Sequence, residues 1–253
     1  MTKADRPASM GEPTRYFFVH LQKTGGTALF QRLRDCFGPA AVYPRPDLDG
    51  GVEAVTEVDR MVEAFATRRN ELRVMTGHFP LCAVDVLDAP FKTFTVLRDP
   101  VERTLSLLRR RSVADERFRD LELEAIYADE SLQPIIRNHM VKMLSLTTDE
   151  MTEAPLLATV PFDDARLEVA KENLAQRIDV FGLQDHFEDF CSDLEVSFGW
   201  DLGSPRFANR TPPRAVSDEL RQLIAADNSL DVELYAFATR ALSERTARQV
   251  RRA

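Results

Sequence analysis

Residues 16–29 read YFFVHLQKTGGTAL, an apolar run followed by a polar turn with two adjacent glycines. The apolar run predicts a buried strand, and residues 27–37, which end before Gly38, predict the helix that follows the turn. Glycine adopts backbone conformations that other residues avoid, so the N–H groups of such a turn can converge at the positive end of the helix dipole. The stretch therefore predicts a cradle for an anionic phosphate group. Its candidate binding residues are Lys23, Thr24, Gly25, Gly26 and Thr27.

The position of the lysine distinguishes this turn from the loop of nucleoside triphosphatases, G-x-x-x-x-G-K-[ST], in which lysine follows the second glycine. Here Lys23 precedes both glycines and stands near the end of the strand. Residues 20–27, HLQKTGGT, resemble the 5′-phosphosulfate loop of sulfotransferases that use 3′-phosphoadenosine-5′-phosphosulfate (PAPS), in particular the carbohydrate, heparan-type O-sulfotransferases. The usual form in that branch is H-x-P-K-T-G-G-T, so Gln22 replaces a proline, which alters the stiffness of the loop more than its chemistry. An ordinary glycine turn between strand and helix is the alternative.

A second informative stretch, residues 91–106, reads FKTFTVLRDPVERTLS. Its first half is β-branched and aromatic and predicts a central parallel strand, while Asp99 and Pro100 suit the N-cap and the first position of a helix. Arg98 would then lie at the carboxyl end of the strand, where open α/β sheets bind ligands, and its planar guanidinium group matches a phosphate. Ser106, less than two turns into the helix, can reach the same group. Alternatively, Arg98 ends a strand and Ser106 is a solvated helix residue.

The pattern L-R-D-P-x-x-R-x-x-S resembles the 3′-phosphate motif of the same sulfotransferases, and the two motifs occur in the expected order. The resemblance implies that Arg98 and Ser106 hold the phosphate that distinguishes PAPS from ATP. Residues 180–187, VFGLQDHF, are similar to a late segment of the family, so the likeness extends in scattered form over most of the chain. In the family a late basic loop often closes over the nucleotide, which makes Arg210 and Thr211 candidate cofactor-binding residues. A plain linker between helices is the alternative there.

Transfer to a hydroxyl requires a base, and histidine suits this role because its usual pKa lies near neutrality. His78 follows a strand predicted at residues 72–76, so it would lie at the same sheet edge as Lys23 and Arg98. Its position resembles the Gly-His step of heparan-type O-sulfotransferases, where the histidine is the proposed base. Some of those enzymes carry His-Gly-His, whereas this chain has Thr76 at the first position. We therefore predict His78 and Lys23 as catalytic residues. The alternative for His78 is a structural histidine in a loop or in the core, with its hydrogen bonds satisfied.

The other three of the four histidines are weaker candidates. His20 precedes the glycine turn, and we expect it to orient that turn. His139 and His186 lie in helical patterns and are expected to be structural or exposed. Asn138 could position the acceptor or be an exposed helix residue. Whether His20 or Asn138 assists His78 is left open by the sequence.

Composition limits the class of protein. With 253 residues, 44% of them hydrophobic, the chain can bury one α/β core. Its net charge of −8 argues against broad affinity for nucleic acids, and an anionic cofactor then needs locally concentrated positive charge. The basic residues that could supply this charge are Lys23, Arg98, Arg103, Arg109, Arg110 and Arg111, although the last three could equally form a solvated helix end. The cysteines and histidines show no metal-ligand spacing, so we expect no metal.

The three cysteines form no C-x-x-C pair, which favours a reducing compartment. No stretch approaches the length of a membrane span, and residues 1–14 lack the apolar core of a signal peptide. We therefore expect a cytoplasmic protein with a disordered tail over residues 1–14 and a single domain over residues 15–253. Oligomeric state is not readable from the sequence.

Periodicity predicts further helices and one more strand. Helices are expected at residues 55–69, 114–128, 132–146, 164–176, 184–198, 217–226 and 230–252, and a strand at residues 178–182. This pattern predicts an α/β, P-loop-like fold of three layers, in which a central, mainly parallel sheet is flanked by helices and the second half is rich in helix. The helices of the middle block could form a wall of the acceptor pocket or serve packing alone.

Taken with the resemblance, these features predict a PAPS-dependent sulfotransferase. It would transfer a sulfuryl group to a hydroxyl of a carbohydrate or another small molecule by in-line displacement, with a histidine base and without a metal. Two alternatives remain open. One is a kinase-like phosphotransferase. The absence of a lysine after Gly26 argues against it. The other is a non-catalytic nucleotide-binding or partner-binding module.

Overall fold

The computed structural model describes residues 13–204 and 214–250. In this part of the chain the strands are β1 (Arg15–Val19), β2 (Val74–Gly77), β3 (Phe91–Leu97) and β4 (Val180–Leu183). The helices are α1 (Gly26–Phe37), α2 (Glu53–Thr56), α3 (Val58–Arg68), α4 (Pro100–Ala114), α5 (Leu123–Tyr127), α6 (Gln133–Ile136), α7 (His139–Ser145), α8 (Asp164–Gln176), α9 (Phe187–Phe198), α10 (Asp218–Asp227) and α11 (Ser229–Val250).

The four strands described form one parallel sheet in the order β2-β1-β3-β4. In the register Phe18 lies beside Thr76 on one side and beside Phe94 on the other, and Phe94 lies beside Val180. The chain leaves β1 towards β2 and leaves β3 towards β4, so the connections after the two central strands run in opposite directions. Ligands of open α/β sheets bind in the crevice at such a switch point, outside the carboxyl ends of the strands.

Successive side chains of β1 point to opposite faces of the sheet, and helices cover both faces. Phe17 and Val19 pack with α3, α7, α8 and α11 on one face. Tyr16 and Phe18 pack with α1 and α9 on the other. The predicted α/β fold with a central parallel sheet flanked by helices is therefore confirmed. A third apolar cluster joins α4, α5, α6 and α10 beside the sheet.

Most predicted elements occur close to their expected bounds. The helix at residues 27–37 is α1, the strand at residues 91–97 is β3, and the helix at residues 164–176 is α8. Asp99 accepts a hydrogen bond from the Glu102 N–H at 2.9 Å and Pro100 begins α4, as predicted for this helix start. The predicted C-terminal helices correspond to α10 and α11.

Three predicted helices were wrong in extent. Residues 114–128 form only a short 3-10 turn, Glu116–Phe118, and α5. Residues 132–146 are interrupted before α7, because Asn138 adopts a left-handed conformation with φ 40°. Residues 55–69 are divided at Glu57, whose extended backbone separates α2 from α3.

No helix in the described segments is long and apolar enough to cross a bilayer.

Candidate functional site

The turn between β1 and α1, residues 20–26, has an unusual backbone. Lys23 has φ 68° and Gly25 has φ 96°, both in the left-handed region. The hydroxyl of Thr24 is buried and donates a 2.8 Å hydrogen bond to the Leu21 carbonyl, which closes the turn from within. The N–H groups of Gly25, Gly26 and Thr27 have no hydrogen-bond partner within the part of the chain that the structure describes. These donors lie at the N-terminus of α1 and form an anion-binding geometry.

Gly26 is required for the packing of His20 over this turn. A Cβ atom at Gly26 would lie 1.9 Å from Nε2 of His20. The His20 ring is stacked on Phe18, with ring centroids 5.1 Å apart and planes 11° apart. Burial, and then the neighbouring charges of His78 and Lys23, lower the pKa of His20 well below its usual value, so its imidazole is neutral. The expectation that His20 orients the turn agrees with this placement.

Arg98 reaches the turn from the neighbouring strand. It follows β3, and its Nη1 donates a 3.0 Å hydrogen bond to the Lys23 carbonyl. Its Nε is buried and has no hydrogen-bond partner among the described residues. A guanidinium group held by one nitrogen therefore keeps donor capacity for an anion in the crevice.

Positive charge is concentrated at this edge. Burial lowers the pKa of Lys23, and the charges of Arg110 and Arg98 lower it further. Burial lowers the pKa of Arg98 too. The carboxylates of Glu102, Asp185 and Asp99 act in the opposite direction, and the charge of Arg109 on α4 adds to the lowering. Like charges held together in this way favour an anionic ligand, which would relieve their repulsion.

Arg103, predicted among these cations, lies inside the protein. It is fully buried and donates from Nη2 to the carbonyls of Ile135 and Ile136, at 3.3 and 2.8 Å. Burial lowers its pKa to about 10. Its position on α4 places Arg103 in the packing of the helices, from where its charge still acts on Arg98. Arg103 thus adds positive charge near Arg98 from a buried position, where its guanidinium group is not exposed to a ligand.

His78 stands beside the turn on the other neighbouring strand. It follows β2, its N–H donates to the Val55 carbonyl at 2.6 Å, and its ring centroid lies 4.6 Å from that of His20. Nδ1 of His78 lies 3.1 Å from the carbonyl oxygen of His20. Because a carbonyl oxygen only accepts, Nδ1 carries the proton, and in the neutral ring Nε2 has the free lone pair.

The charge state of His78 follows from its surroundings. Burial is the main effect that lowers the pKa of His78, the Lys23 charge lowers it further, and the hydrogen bond to His20 acts in the opposite direction. The ring is partly exposed. A neutral imidazole with an available Nε2 is the form that can accept a proton.

His139 was expected to be structural or exposed, and it is buried completely. Its Nε2 accepts a 3.2 Å hydrogen bond from the N–H of Gln22, within the β1–α1 turn. Burial and the nearby charges of Arg103 and Lys142 lower the pKa of His139 well below its usual value. No local sequence pattern indicates this contact, because the two residues are 117 positions apart.

The other candidates differ in their placement. Ser106 is partly buried on α4, one turn before Arg110, and Thr27 is exposed. Neither hydroxyl forms a hydrogen bond with a described residue. Arg210 and Thr211 lie outside the described residues, as does most of the predicted tail at residues 1–14. His186 is exposed, with Nδ1 3.6 Å from Asp189.

Asn138 is buried, which excludes the alternative of an exposed helix residue. Its N–H donates to Oδ1 of Asn228 at 2.8 Å, and its own Oδ1 accepts from the Asp231 N–H at 3.1 Å. Asn138 thus joins the start of α7 to α11. This contact explains the left-handed backbone that interrupts the predicted helix, because asparagine tolerates that conformation better than most residues.

A cavity of about 430 Å³ lies elsewhere, between α5, α6 and α10. Its wall includes Glu124, Glu130, Glu219 and Asp227, and none of the residues predicted for catalysis or cofactor binding. An acidic wall does not suit an anionic donor. Among the described residues, no group of histidine, cysteine and acidic side chains is arranged to hold a metal ion.

The structure brings together three of the predicted groups at one sheet edge: the β1–α1 turn with Lys23, Arg98 after β3, and His78 after β2. The edge combines free backbone donors, clustered cations and a neutral imidazole. A scan against protein-family models finds no match for this chain. A search of curated proteins finds no significant match either.

Proposed function

We propose that this protein is a PAPS-dependent sulfotransferase with a P-loop-like fold, which transfers a sulfuryl group to an acceptor hydroxyl. One observation carries the proposal. Three adjacent parallel strands end in His78, the β1–α1 turn and Arg98, and Arg98 contacts the Lys23 carbonyl directly at 3.0 Å. A base and two anion-binding groups thereby face one crevice, as a donor with two separated anionic ends requires.

The residues at this edge fit such a donor. The unpartnered N–H groups of Gly25, Gly26 and Thr27, with Lys23 beside them, suit the 5′-phosphosulfate. The buried, unpartnered Nε of Arg98 suits the 3′-phosphate. Ser106 lies one turn before Arg110 on the same face of α4, and we propose that its hydroxyl donates to the 3′-phosphate.

The proposed reaction is an in-line displacement at sulfur. The acceptor oxygen forms a bond to sulfur while the bond between sulfur and the bridging phosphate oxygen breaks, and adenosine 3′,5′-bisphosphate leaves. The acceptor proton passes to Nε2 of His78. The hydrogen bond from Nδ1–H to the His20 carbonyl keeps the imidazole in the tautomer that leaves Nε2 unprotonated. Lys23 and the free N–H groups would stabilise the charge that develops on the leaving phosphate, where one donor is worth about two to three orders of magnitude in rate.

The acceptor is proposed as a hydroxyl of a carbohydrate or another small molecule. We further propose a reducing, cytoplasmic setting. The three cysteines are free, and burial raises the pKa values of the Cys82 and Cys191 thiols to about 12, so neither is a reactive thiolate at neutral pH.

The two alternatives differ from this proposal in measurable ways. A kinase-like phosphotransferase would bind ATP with magnesium at least as well as a bisphosphate nucleotide. A non-catalytic module would gain support if His78 were remote from Lys23. Nδ1 of His78 instead lies 3.1 Å from the carbonyl oxygen of His20, in the same turn as Lys23.

The test is calorimetric binding of adenosine 3′,5′-bisphosphate, AMP and ATP, the last with and without magnesium. We expect the wild type to prefer the bisphosphate, and Arg98→Ala to weaken its binding by about tenfold or more, because a charge-assisted contact is lost. Arg117→Ala is the matched control, since Arg117 is an exposed arginine paired with Asp115 beyond the end of α4. Equal or tighter binding of ATP, or no binding of the bisphosphate, would contradict the proposal.

A further inference from the structure

The β1–α1 turn has a hydrogen bond that local sequence does not explain. The N–H of Gln22 donates to Nε2 of His139 at 3.2 Å, across 117 residues of sequence. Gln22 immediately precedes Lys23, whose left-handed backbone turns the chain towards Gly25 and Gly26. The bond therefore anchors the turn at the residue before Lys23.

His139 is itself held rigidly. It is the first residue of α7, whose N-terminal N–H groups, those of Met140 and Val141, donate to the Asp231 carboxylate at 3.1 and 2.8 Å. Asn138 is hydrogen-bonded to Asn228, which precedes α11, and to Asp231 in the first turn of α11. A buried ring on a fixed backbone holds its Nε2 atom in one position. It can therefore accept the Gln22 hydrogen bond with a fixed geometry and support a turn that contains two left-handed residues.

The tautomer of His139 is also determined. Since Nε2 accepts from Gln22, the proton of the neutral ring is on Nδ1, which is buried and has no hydrogen-bond partner among the described residues. Without His139, the Gln22 N–H would lose its partner in a partly buried position, at a cost comparable to a lost hydrogen bond.

We propose that His139 is a positioning residue of the phosphate-binding turn, which it holds in its anion-binding conformation through the Gln22 N–H. Proline at position 22, usual in the motif that this turn resembles, has no N–H and could not form this bond. Gln22 and His139 thus act as a pair that replaces the stiffness of a proline. The identity of the bound group rests on the proposed function.

The first test compares three substitutions that differ in where they place a polar atom. The side-chain amide of His139→Gln lies near the position of Nε2, that of His139→Asn lies near Nδ1, and His139→Leu has no polar atom. We expect His139→Leu and His139→Asn to bind adenosine 3′,5′-bisphosphate about tenfold more weakly, the loss typical of one hydrogen bond. His139→Gln should bind within about threefold of the wild type.

Amide hydrogen exchange of Gln22 gives a readout that does not need a nucleotide. Exchange should accelerate by about tenfold in His139→Leu and His139→Asn, and recover in His139→Gln. Equal effects of all three substitutions, or wild-type binding and exchange in a folded His139→Leu variant, would overturn the proposal. If the wild type binds no bisphosphate, the proposed function fails, and the exchange of Gln22 alone decides on the role of His139.

A double-mutant cycle tests the pairing directly. Gln22→Pro removes the donor, so His139→Leu should have little further effect on bisphosphate binding in that background. Additive losses in the double variant would show that His139 acts by another route and would overturn the proposal. Should Gln22→Pro fail to fold, the comparison of His139→Gln with His139→Asn decides the question.

Discussion

At the scale of single residues, one carbonyl oxygen determines what His78 can do. The His20 carbonyl holds Nδ1 of His78 at 3.1 Å, so the ring offers Nε2 as its free acceptor. The same two residues are in ring contact, and both pKa values are lowered by burial and by Lys23. Two neutral imidazoles thus stand beside a cluster of cations, which explains how a base can coexist with an anion-binding site.

We predict that His78 titrates below its usual pKa of 6.5. Because burial and the Lys23 charge favour the neutral form, the imidazole should remain a base at pH values where a free histidine is half protonated. Histidine-selective NMR of the folded protein between pH 5 and 8 measures this, and Lys23→Met should raise the value towards 6.5. Titration of His78 above 6.5 in the wild type would contradict the assignment.

At the scale of elements, the geometry of the β1–α1 turn depends on the space left by Gly26. We predict that Gly26→Ala displaces the His20 ring, since its Cβ would lie 1.9 Å from Nε2. The expected destabilisation is about 1–3 kcal/mol, with a marked loss of bisphosphate binding. Thermal denaturation and calorimetry measure the two effects.

Gly38→Ala, at the other end of α1, is the matched control for this prediction. Gly38 has φ 82° but a Cβ there meets nothing within 4 Å. The Gly38→Ala variant should be less stable by about 1–3 kcal/mol, because alanine is strained in this backbone conformation. Its nucleotide binding should be retained. If both variants bind equally, the turn does not depend on the space at Gly26.

The packing of α7 against α11 depends on a buried carboxylate. Asp231 is fully buried, accepts two N–H groups of α7, and lies in the electrostatic range of the buried Arg103 and Lys142. Lys142 donates to three backbone carbonyls, so both cations are embedded in helical structure.

We predict that Asp231→Asn destabilises the fold by about 3 kcal/mol, because the buried Arg103 and Lys142 lose the negative charge of Asp231. Chemical denaturation measures the change in free energy of unfolding. Asp193→Asn, which removes a carboxylate from a surface pair with Arg245, should cost less than about 1 kcal/mol. Comparable losses in the two variants would contradict the role given to Asp231.

At the scale of the whole molecule, folding keeps three histidines neutral. The pKa values of His20, His78 and His139 are all below 6.5 in the folded state. The unfolded chain therefore binds more protons than the folded protein below pH 6.5, and this contribution to stability is present above that pH and decreases as the pH falls. Asp231 acts in the opposite direction, since its pKa is raised from 3.8 to about 6.

We predict that the melting temperature decreases as the pH is lowered from 7.5 through 6.5 towards 5.5. His139 is completely buried, so its own contribution approaches a slope of about 1.4 kcal/mol per pH unit as the pH falls well below 6.5. Calorimetric melting of the wild type and His139→Gln over this range isolates its share, because glutamine does not titrate. An identical pH dependence in the two proteins would contradict the burial of a neutral His139.

Local patterns were sufficient for the elements that position the candidate site. The glycine turn after β1, the strand that ends before Arg98 and the N-cap at Asp99 follow from adjacent residues, and the parallel order of the sheet carries His78 to the same edge. Helix periodicity failed at residues 114–128, where packing against α4 and α10 selected short turns instead.

Local sequence was enough to predict the α/β architecture and the strand ends that carry His78, the glycine turn and Arg98, because strand ends and caps depend on neighbours within a few residues. Three features became visible only in the folded molecule: Arg103 is buried, Asn138 breaks a helix, and His139 reaches Gln22. Burial and hydrogen bonding in these cases depend on residues that are distant along the chain. Periodicity cannot reveal partners that folding alone brings together.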